Sequence, residues 1–180
     1  MPAYTVAVHC NALHTFSKPA TAAIELVAGH GVWGDTHYGT TVQHRSRVAK
    51  DPTQPNLRQV HLLQAELLDA LQANGHPVVP GQLGENITTQ GLAVLTLSAG
   101  TRLQVGAQAI LRVTGLRNPC VQIENFQAGL LAAVLGRADN GALVRKAGVM
   151  CGVEQSGTVR AGDAITVRGQ PEHHVPLQPV

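Results

Sequence analysis

The feature that most restricts the possible folds of this chain is a succession of short apolar, β-branched runs that end at glycine-rich turns. Short runs of this kind with turn signals between them are typical of strands. We place them at residues 4–9, 22–27, 58–63, 87–89, 92–97, 101–105, 107–114 and 164–167. Helical spacing of apolar residues predicts helices at residues 64–73 and 121–135. The pattern predicts a mainly β fold, a β-barrel with a few peripheral helices.

The length and composition suit one domain. The 180 residues, of which 44% are hydrophobic, are enough to bury a large core. We assign residues 1–170 to a single barrel domain and residues 171–180 to a tail rich in proline and histidine, which we expect to be poorly packed. The net charge of +2 is too small to indicate a nucleic-acid partner, and one Trp, two Tyr and two Phe offer little surface for stacking bases.

Cysteine usage and hydropathy bear on the compartment. Three cysteines are an odd number without paired spacing, so they do not indicate a disulfide framework and suit a reducing environment. No apolar run approaches the ~18 residues of a membrane span, and the first residues lack the pattern of a signal peptide. We therefore expect a cytoplasmic protein with no membrane partner, and the oligomeric state stays open.

The most informative short stretch is residues 113–120, where a β-type run ends in a turn and a single cysteine follows Pro119. Cys120 falls at the start of the second predicted helix, with Asn118 as a possible cap and Pro119 in the first turn. The helix dipole and the nearby Arg117 both favour the thiolate, which is the nucleophilic and metal-binding form. A buried structural cysteine is the alternative.

The other two cysteines have a different setting. Cys10 and Cys151 lie in strand-like apolar runs, and we predict that both belong to the core. Burial raises the pKa of a thiol and blocks access to it. Cys120 is therefore predicted to be the reactive thiol of the three.

Residues 29–56 form a long segment without sustained periodicity that is rich in glycine, histidine and arginine. Irregular segments of this length inside a compact domain are commonly functional. We predict that this loop folds over the barrel mouth and brings His37 and at least one of Arg45 or Arg47 towards Cys120. A disordered flap with His37 in solvent is the alternative.

Within this loop, Asp35 and His37 place a carboxylate and an imidazole at one tight turn. The spacings of cysteine and histidine match no zinc pattern, so a metal site there has little support. Asp35 is equally suited to form the turn itself.

Basic residues are concentrated in or beside loops that a barrel can bring together at one end. They are Lys18, Arg45, Arg47, Arg58, Arg117, Arg145 and Lys146. Such a cluster suits an anionic ligand, because arginine binds phosphate through paired hydrogen bonds and the amides of glycine-rich turns add donors. Solvated surface charges are the alternative. Glu85 and Asn86 either bind a ligand ring or cap their glycine-rich loop.

Several short motifs, taken in order over residues 3–168, resemble the MOSC domain, a family named after the C-terminal domain of molybdenum-cofactor sulfurases. The motifs are Gly31-Val32-x-Gly34-Asp35-x-His37-x-Gly39, Leu57-Arg58-Gln59-Val60, Pro80-Gly81-x-x-Gly84-Glu85-Asn86-Ile87, Arg117-Asn118-Pro119-Cys120, Lys146-Ala147-Gly148-Val149 and Gly162-Asp163. The Gly-Glu-Asn and Asn-Pro-Cys elements are the specific ones, and the shared order is harder to match than any single motif.

The resemblance implies a pyruvate-kinase-type β-barrel with a signature thiol at Cys120, thought to carry sulfur as a persulfide or to ligate molybdenum. In the amidoxime-reducing relatives the cofactor is a pterin-dithiolene molybdenum group whose phosphate is held by basic residues. By motif position, Lys18, Arg58 and Asn86 would lie near that cofactor. The family is also associated with pyridoxal phosphate, but the chain shows no domain of that type, so we do not expect it to extract sulfur from cysteine itself.

The predicted site combines the residues and the resemblance. Cys120 and His37 are the predicted catalytic residues, and Cys120 is the predicted metal ligand. The predicted cofactor-binding residues are Lys18, Arg45, Arg58, Glu85, Asn86, Arg117, Asn118 and Lys146. The favoured function is a molybdenum-cofactor oxidoreductase that acts on N-hydroxylated small molecules with a redox partner protein. Two alternatives stay open: a carrier that takes sulfur from a donor protein and delivers it from Cys120 for metal–sulfur assembly, and a non-catalytic anion-binding module.

Overall fold

The computed structural model describes residues 2–180. Within them the strands are β1 (Ala3–His9), β2 (Ala20–Thr21), β3 (Ile24–Val27), β4 (Gly31–Val32), β5 (Val60–Gln64), β6 (Ile87–Gln90), β7 (Arg102–Val105), β8 (Ala109–Leu116), β9 (Leu135–Arg137), β10 (Leu143–Arg145), β11 (Val149–Gln155), β12 (Gly157–Val159) and β13 (Ala164–Gly169). The helices are α1 (Arg45–Val48), α2 (Ala65–Ala73), α3 (Val121–Phe126) and α4 (Leu130–Ala133), with a 3-10 turn at Val94–Thr96. None of the helices in this range has the length and apolar character needed to cross a bilayer.

Seven strands close into a barrel. They follow the order β13–β7–β8–β11–β5–β6–β1, and β1 pairs with β13 to complete the ring. Neighbouring strands are antiparallel except β5 and β6, which run parallel because α2 provides the crossover between them. The predicted mainly β barrel with few peripheral helices is confirmed.

The barrel interior is filled by alternate residues of its strands, as the two-residue period of a strand requires. Val60 and Leu62 of β5 belong to this core, as do Val149, Cys151 and Val153 of β11. All five are at most 4% exposed. The predicted core position of Cys151 is therefore confirmed.

A second apolar core lies outside the barrel wall, beneath the helices. Leu63, the residue of β5 that follows an inward-facing leucine, faces this side. The whole cluster is Leu63, Leu67, Leu68, Leu71, Val78, Leu83, Ile123, Leu130, Val134 and Ala147. Because the cluster attaches α3 and α4 to the wall, it also positions Cys120, which directly precedes α3.

Ile123 is the buried residue of α3, so the attachment of this helix depends on it. We expect Ile123→Ala to lower the free energy of unfolding by about 2–5 kcal/mol, because a buried side chain is lost and a cavity remains. Urea unfolding measures the change. Val121→Ala, at an exposed position of the same helix, is the matched control and should cost less than about 1 kcal/mol. Equal losses in the two variants would contradict this role of Ile123.

The predicted helix over residues 121–135 is wrong in extent. Two short helices replace it, because Gly129 lies between them with φ of +80°, a conformation that interrupts the helical path. Glu124 stabilises the break. Its Oε1 accepts a hydrogen bond from the backbone N–H of Gly129 at 2.9 Å, and its Oε2 accepts one from that of Leu131 at 3.3 Å.

Two further local features differ from the expected elements. The predicted strand at residues 92–97 is a 3-10 turn, which carries Val94 into the barrel core. A small hairpin, in which β9 pairs with β10, adds two strands that the sequence pattern did not predict.

The C-terminal tail, expected to be poorly packed, instead pairs with the end of β8. The backbone N–H of Leu116 donates to the carbonyl of Gln178 at 2.8 Å, and that of Val180 donates to the carbonyl of Leu116 at 3.2 Å. The reason is that β8 extends beyond its pairing with β7, which leaves backbone groups free on that side. Gly115 permits the close approach, because a Cβ there would collide with the carbonyl of Gln178. The tail thereby supports the strand that leads to Arg117.

Candidate functional site

A cleft adjoins the barrel wall, the start of α3 and the long loop of residues 29–56. It consists of an inner cavity of about 180 Å³ and an outer cavity of about 420 Å³. His44, Arg58, Asn118 and Cys120 line both cavities. Cys120 therefore lies at the junction between them.

Two strand residues on the outer face of the barrel line the inner cavity. His61 of β5 and Met150 of β11 lie directly opposite each other in the antiparallel pair. Successive side chains of a strand point to opposite faces, and the neighbouring Val60 and Val149 fill the barrel interior, so His61 and Met150 point outwards. The cleft lies outside the barrel wall, which corrects the predicted position at the barrel mouth.

Cys120 is the N-cap residue of α3 and has extended backbone geometry, with φ of −136° and ψ of 175°. Its thiol is partly exposed, and Sγ lies 3.6 Å from Oε1 of Gln122. Asn118 does not cap the helix. Its Oδ1 instead accepts a hydrogen bond from Nε of Arg145 at 3.1 Å. Because α3 is much shorter than the predicted helix, its dipole is a smaller part of the electrostatics around the thiol than expected.

Two arginines near Cys120, the buried Arg117 and the half-buried Arg58, form no ion pair within residues 2–180. Arg117 is 7% exposed, its Nη1 has no hydrogen-bond partner among the described residues, and its guanidinium lies 5.7 Å from the centre of the Phe16 ring. Burial lowers the pKa of Arg117, and the charges of Cys120 and Glu85 oppose the shift. Burial and repulsion by Arg47 and Arg117 lower the pKa of Arg58 to about 10, again opposed by Cys120. The ion pairs found within residues 2–180 include neither arginine, so an anion in the cleft would compensate both.

Lys18 lines the inner cavity, but its charge is already paired. Its Nζ lies 2.8 Å from Oδ2 of Asp35, and the two side chains are only 3% and 1% exposed. Burial lowers the pKa of Lys18, and the carboxylate of Asp35 opposes the shift. Burial alone would raise the pKa of Asp35, but the hydrogen bond from His37 and the charge of Lys18 outweigh it and hold that pKa well below its usual range. Lys18 is therefore placed to support Asp35 more than to bind a ligand.

His37 is oriented by Asp35. The Oδ1 of Asp35 accepts the backbone N–H of His37 at 3.0 Å and lies 3.2 Å from Nδ1 of its ring. The backbone bond makes Asp35 a turn-forming residue, and the ring contact makes it a partner of the imidazole, so both sequence interpretations hold. Burial lowers the pKa of His37, opposed by Asp35. When the ring is neutral, a proton on Nδ1 suits the contact with the Asp35 carboxylate and leaves Nε2 as an acceptor.

The long loop is held in place by side-chain hydrogen bonds to its backbone. Nδ2 of Asn56 donates to the carbonyls of His37 and Gly39 at 2.9 and 3.0 Å. Arg45 lines the inner cavity and Arg47 the outer cavity, each together with Cys120. The loop thus brings His37 and Arg45 to the cavity that Cys120 lines, although this cavity lies outside the barrel wall and not at its mouth, and the loop contains the short helix α1.

Asn86 lines the inner cavity, and its amide joins three parts of the site. Oδ1 accepts the backbone N–H of His61 at 3.1 Å, while Nδ2 donates to Oδ2 of Asp35 at 3.1 Å and to the carbonyl of His9 at 3.2 Å. Every polar atom of its side chain is thus engaged by the protein. Its position at the cleft agrees with the prediction, and its contacts are those of a residue that aligns β5 with the Asp35 turn.

The structure does not bring two of the predicted cofactor-binding residues into the cleft. Glu85 is fully buried, and its Oε1 accepts hydrogen bonds from the backbone of Gly81 at 2.6 Å and from Oγ1 of Thr88 at 3.0 Å. These bonds hold its own loop. Lys146 follows β10, and the end of its side chain lies over Gly136 of the hairpin. Neither residue lines the two cavities, unlike the other six predicted cofactor-binding residues.

Sequence reasoning did not select His44, although it lines both cavities. Its ring stacks on that of His37 with the ring centres 6.4 Å apart. Burial and the charge of Arg58 lower the pKa of His44 to about 4, so it is neutral near pH 7. The sequence feature that could have indicated His44 is its position in a histidine-rich loop, but this feature does not show which histidines face the cleft. Within residues 2–180, no group of three or more His, Cys, Asp or Glu side chains is arranged to hold a metal ion.

The family of the chain follows from its sequence. A model of the MOSC domain matches residues 35–166, and the chain belongs to the MOSC domain family. No curated protein matches the sequence at a significant level.

Solved structures share the fold. The YuaD protein from Bacillus subtilis is 27% identical, with a TM-score of 0.74 and with 92% of this chain and 94% of that chain covered. YiiM from Geobacillus stearothermophilus is 18% identical, with a TM-score of 0.68 and coverage of 97% and 80%. YiiM from Escherichia coli is 17% identical, with a TM-score of 0.65 and coverage of 97% and 73%. At these lower identities the two YiiM structures show a common fold.

Proposed function

We propose that this MOSC protein binds a pterin-dithiolene molybdenum cofactor in the cleft, with Cys120 as the protein ligand of the metal, and that it reduces N-hydroxylated substrates. The observation that carries the proposal is the pair of cleft arginines, the half-buried Arg58 and the buried Arg117, which form no ion pair within residues 2–180 and whose charges interact with Cys120. Buried positive charge of this kind is destabilising unless a ligand supplies the matching negative charge.

The residues present fit this cofactor. Its phosphate suits guanidinium groups, which bind phosphate through paired hydrogen bonds. A thiolate is a soft ligand, and Cys120 lies where the two cavities join. The cavities share four lining residues and form one space around this thiol, of the size typical for small-molecule sites.

The side chains of the inner cavity suit a reaction that consumes protons. Reduction of an N-hydroxylated nitrogen to an amine takes two electrons and two protons and releases water. The bound molybdenum group supplies the two-electron chemistry, and a redox partner protein supplies the electrons. His37, fixed at Nδ1 by Asp35, would exchange protons at Nε2. Asp35, held in turn by Lys18 and Asn86, keeps the imidazole in one orientation.

Protein from a host that makes the cofactor tests the proposal through its molybdenum content. We expect close to one molybdenum per wild-type chain, and reduction of benzamidoxime with a chemical electron donor. Arg117→Gln should lower the molybdenum content at least about tenfold, because a charge-assisted contact with the phosphate is lost. Arg160→Gln, at an exposed position outside the cleft, is the control. Metal-free wild-type protein, or an Arg117→Gln variant that is as fully loaded as wild type, would contradict the proposal.

A sulfur carrier is the second candidate, favoured by the partly exposed thiol of Cys120 in a cationic cleft. A persulfide is an anion, so Arg58 and Arg117 would stabilise it as well. Metal-free protein that releases sulfur with cyanide, and that loses this sulfur in Cys120→Ser, would favour the carrier. Protein with neither molybdenum nor labile sulfur would favour a non-catalytic anion-binding module.

A further inference from the structure

The outer cavity has an end that the inner cavity does not share. It is formed by Ser46, Arg47, Lys50 and Gln54, and we call it the α1 end. No carboxylate lines the outer cavity, and the ion pairs found within residues 2–180 include neither Arg47 nor Lys50. The α1 end therefore presents two cations without an acidic partner.

The fold does not require positive charges at Arg47 and Lys50. Helix α1 has no buried residue, so packing does not fix its sequence. Burial is the main cause of the lowered pKa of Arg58 and of His44, and the charge of Arg47 lowers both further. Arg47 thus repels Arg58, and an anion bound at the α1 end would weaken that repulsion.

Four of the cations that line the cleft fall into two sets. Arg117 lines the inner cavity and Arg58 lines both, so these two surround the junction at Cys120. Arg47 and Lys50 line the outer cavity alone. If Arg58 and Arg117 neutralise the negative group of a ligand bound at the junction, Arg47 and Lys50 remain free to bind a second anionic group.

We propose that the α1 end binds an anionic group of the substrate, a phosphate or a carboxylate, through Arg47 and Lys50. The N-hydroxylated group of the same molecule then reaches the junction at Cys120. That the ligand is a substrate rests on the proposed function, whereas the anion site is tested independently of it. The natural substrate is therefore an organic anion rather than a neutral compound.

Isothermal titration with phenyl phosphate tests the anion site in protein from the cofactor-producing host. The variants are Arg47→Gln/Lys50→Gln and, as a matched control that also removes exposed positive charge, Arg160→Gln. We expect the double variant to bind at least about tenfold more weakly than wild type and the control to bind as wild type does, because charge-assisted hydrogen bonds are lost only in the first. The unfolding midpoint of each variant shows that the fold is intact.

The outcomes separate this site from the cofactor site. Failure of wild type to bind phenyl phosphate, or equal affinity in the double variant, would overturn the inference. Loss of molybdenum from the double variant in parallel with phosphate affinity would also overturn it, since Arg47 and Lys50 would then hold the cofactor. Metal-free wild type would refute the proposed function, and phenyl phosphate binding would still decide the anion site.

Steady-state kinetics give a second readout on loaded protein. We expect kcat/KM for 4-carboxybenzamidoxime to exceed that for benzamidoxime in wild type. The ratio of the two values should fall at least about tenfold in Arg47→Gln/Lys50→Gln, mainly through a higher KM for the anionic compound. An unchanged ratio would overturn the assignment of the α1 end to the substrate.

Discussion

Cys120→Ser is expected to abolish reduction of N-hydroxylated substrates while it changes the free energy of unfolding by less than about 1 kcal/mol. A hydroxyl is a poor replacement for a soft thiolate ligand, so metal-dependent turnover should be lost. The thiol is partly exposed and lies outside both apolar cores, so the fold should tolerate the change. Benzamidoxime turnover and urea unfolding measure the two effects.

Cys151→Ser is the matched control, because it makes the same chemical change inside the barrel core. Burial of an unpaired hydroxyl there should lower stability by about 1–3 kcal/mol. Turnover per folded molecule should remain. The assignment of Cys120 would be contradicted if Cys120→Ser kept wild-type turnover, or if it unfolded as readily as the core variant.

Asp35→Asn is expected to destabilise the protein by about 3–5 kcal/mol, because it leaves the buried ammonium of Lys18 without its counter-ion. It also weakens the hydrogen bonds that Asp35 accepts from His37 and Asn86. Equilibrium unfolding in urea measures the loss.

The double variant Lys18→Met/Asp35→Asn separates the two contributions. If the unpaired buried charge is the main cost, the double variant should be more stable than Asp35→Asn alone. The stability of the single variant Lys18→Met is measured as well. If the stability loss of the double variant equals the sum of the losses of Lys18→Met and Asp35→Asn, the unpaired charge does not explain the cost of Asp35→Asn.

The lowered pKa of Asp35 also predicts that the protein loses stability as the pH becomes acidic. Its folded pKa lies below the unfolded value of 3.8, so its contribution is fully present above about that pH and is lost as the pH falls towards the folded pKa. Wild type should therefore lose more stability than Asp35→Asn between about pH 5 and pH 1. Parallel pH profiles for the two proteins would contradict the pairing.

The barrel could be predicted because strand alternation and glycine turns are local signals, and β8 follows the alternation of buried and more exposed residues along its whole length. The helix after Cys120 could not, because apolar spacing continues through Gly129 although the backbone there is left-handed. The pairing of the tail with Leu116 depends on β8 being longer than β7, a property of the closed sheet that the tail's own sequence does not carry.

The residue types of the candidate site could be predicted from the sequence, but most of the contacts between them could not. The loop arginines and His37 signalled a polar, cationic centre near Cys120. The ion pair of Lys18 with Asp35 joins segments that neither periodicity nor spacing connects. For the same reason, the sequence did not show that Glu85 is buried, with one carboxylate oxygen bonded to Gly81 and Thr88.

Pulsed iodoacetamide labelling, mapped by peptide mass in cofactor-loaded and metal-free protein, tests the role of Cys120 most directly. Burial raises the pKa of Cys10 and of Cys151, so both should label slowly in either form. If Cys120 ligates the metal, it should label readily in metal-free protein and be protected in loaded protein. Equal labelling of Cys120 in the two forms, or faster labelling of Cys10 or Cys151, would contradict its assignment as the reactive, metal-binding thiol.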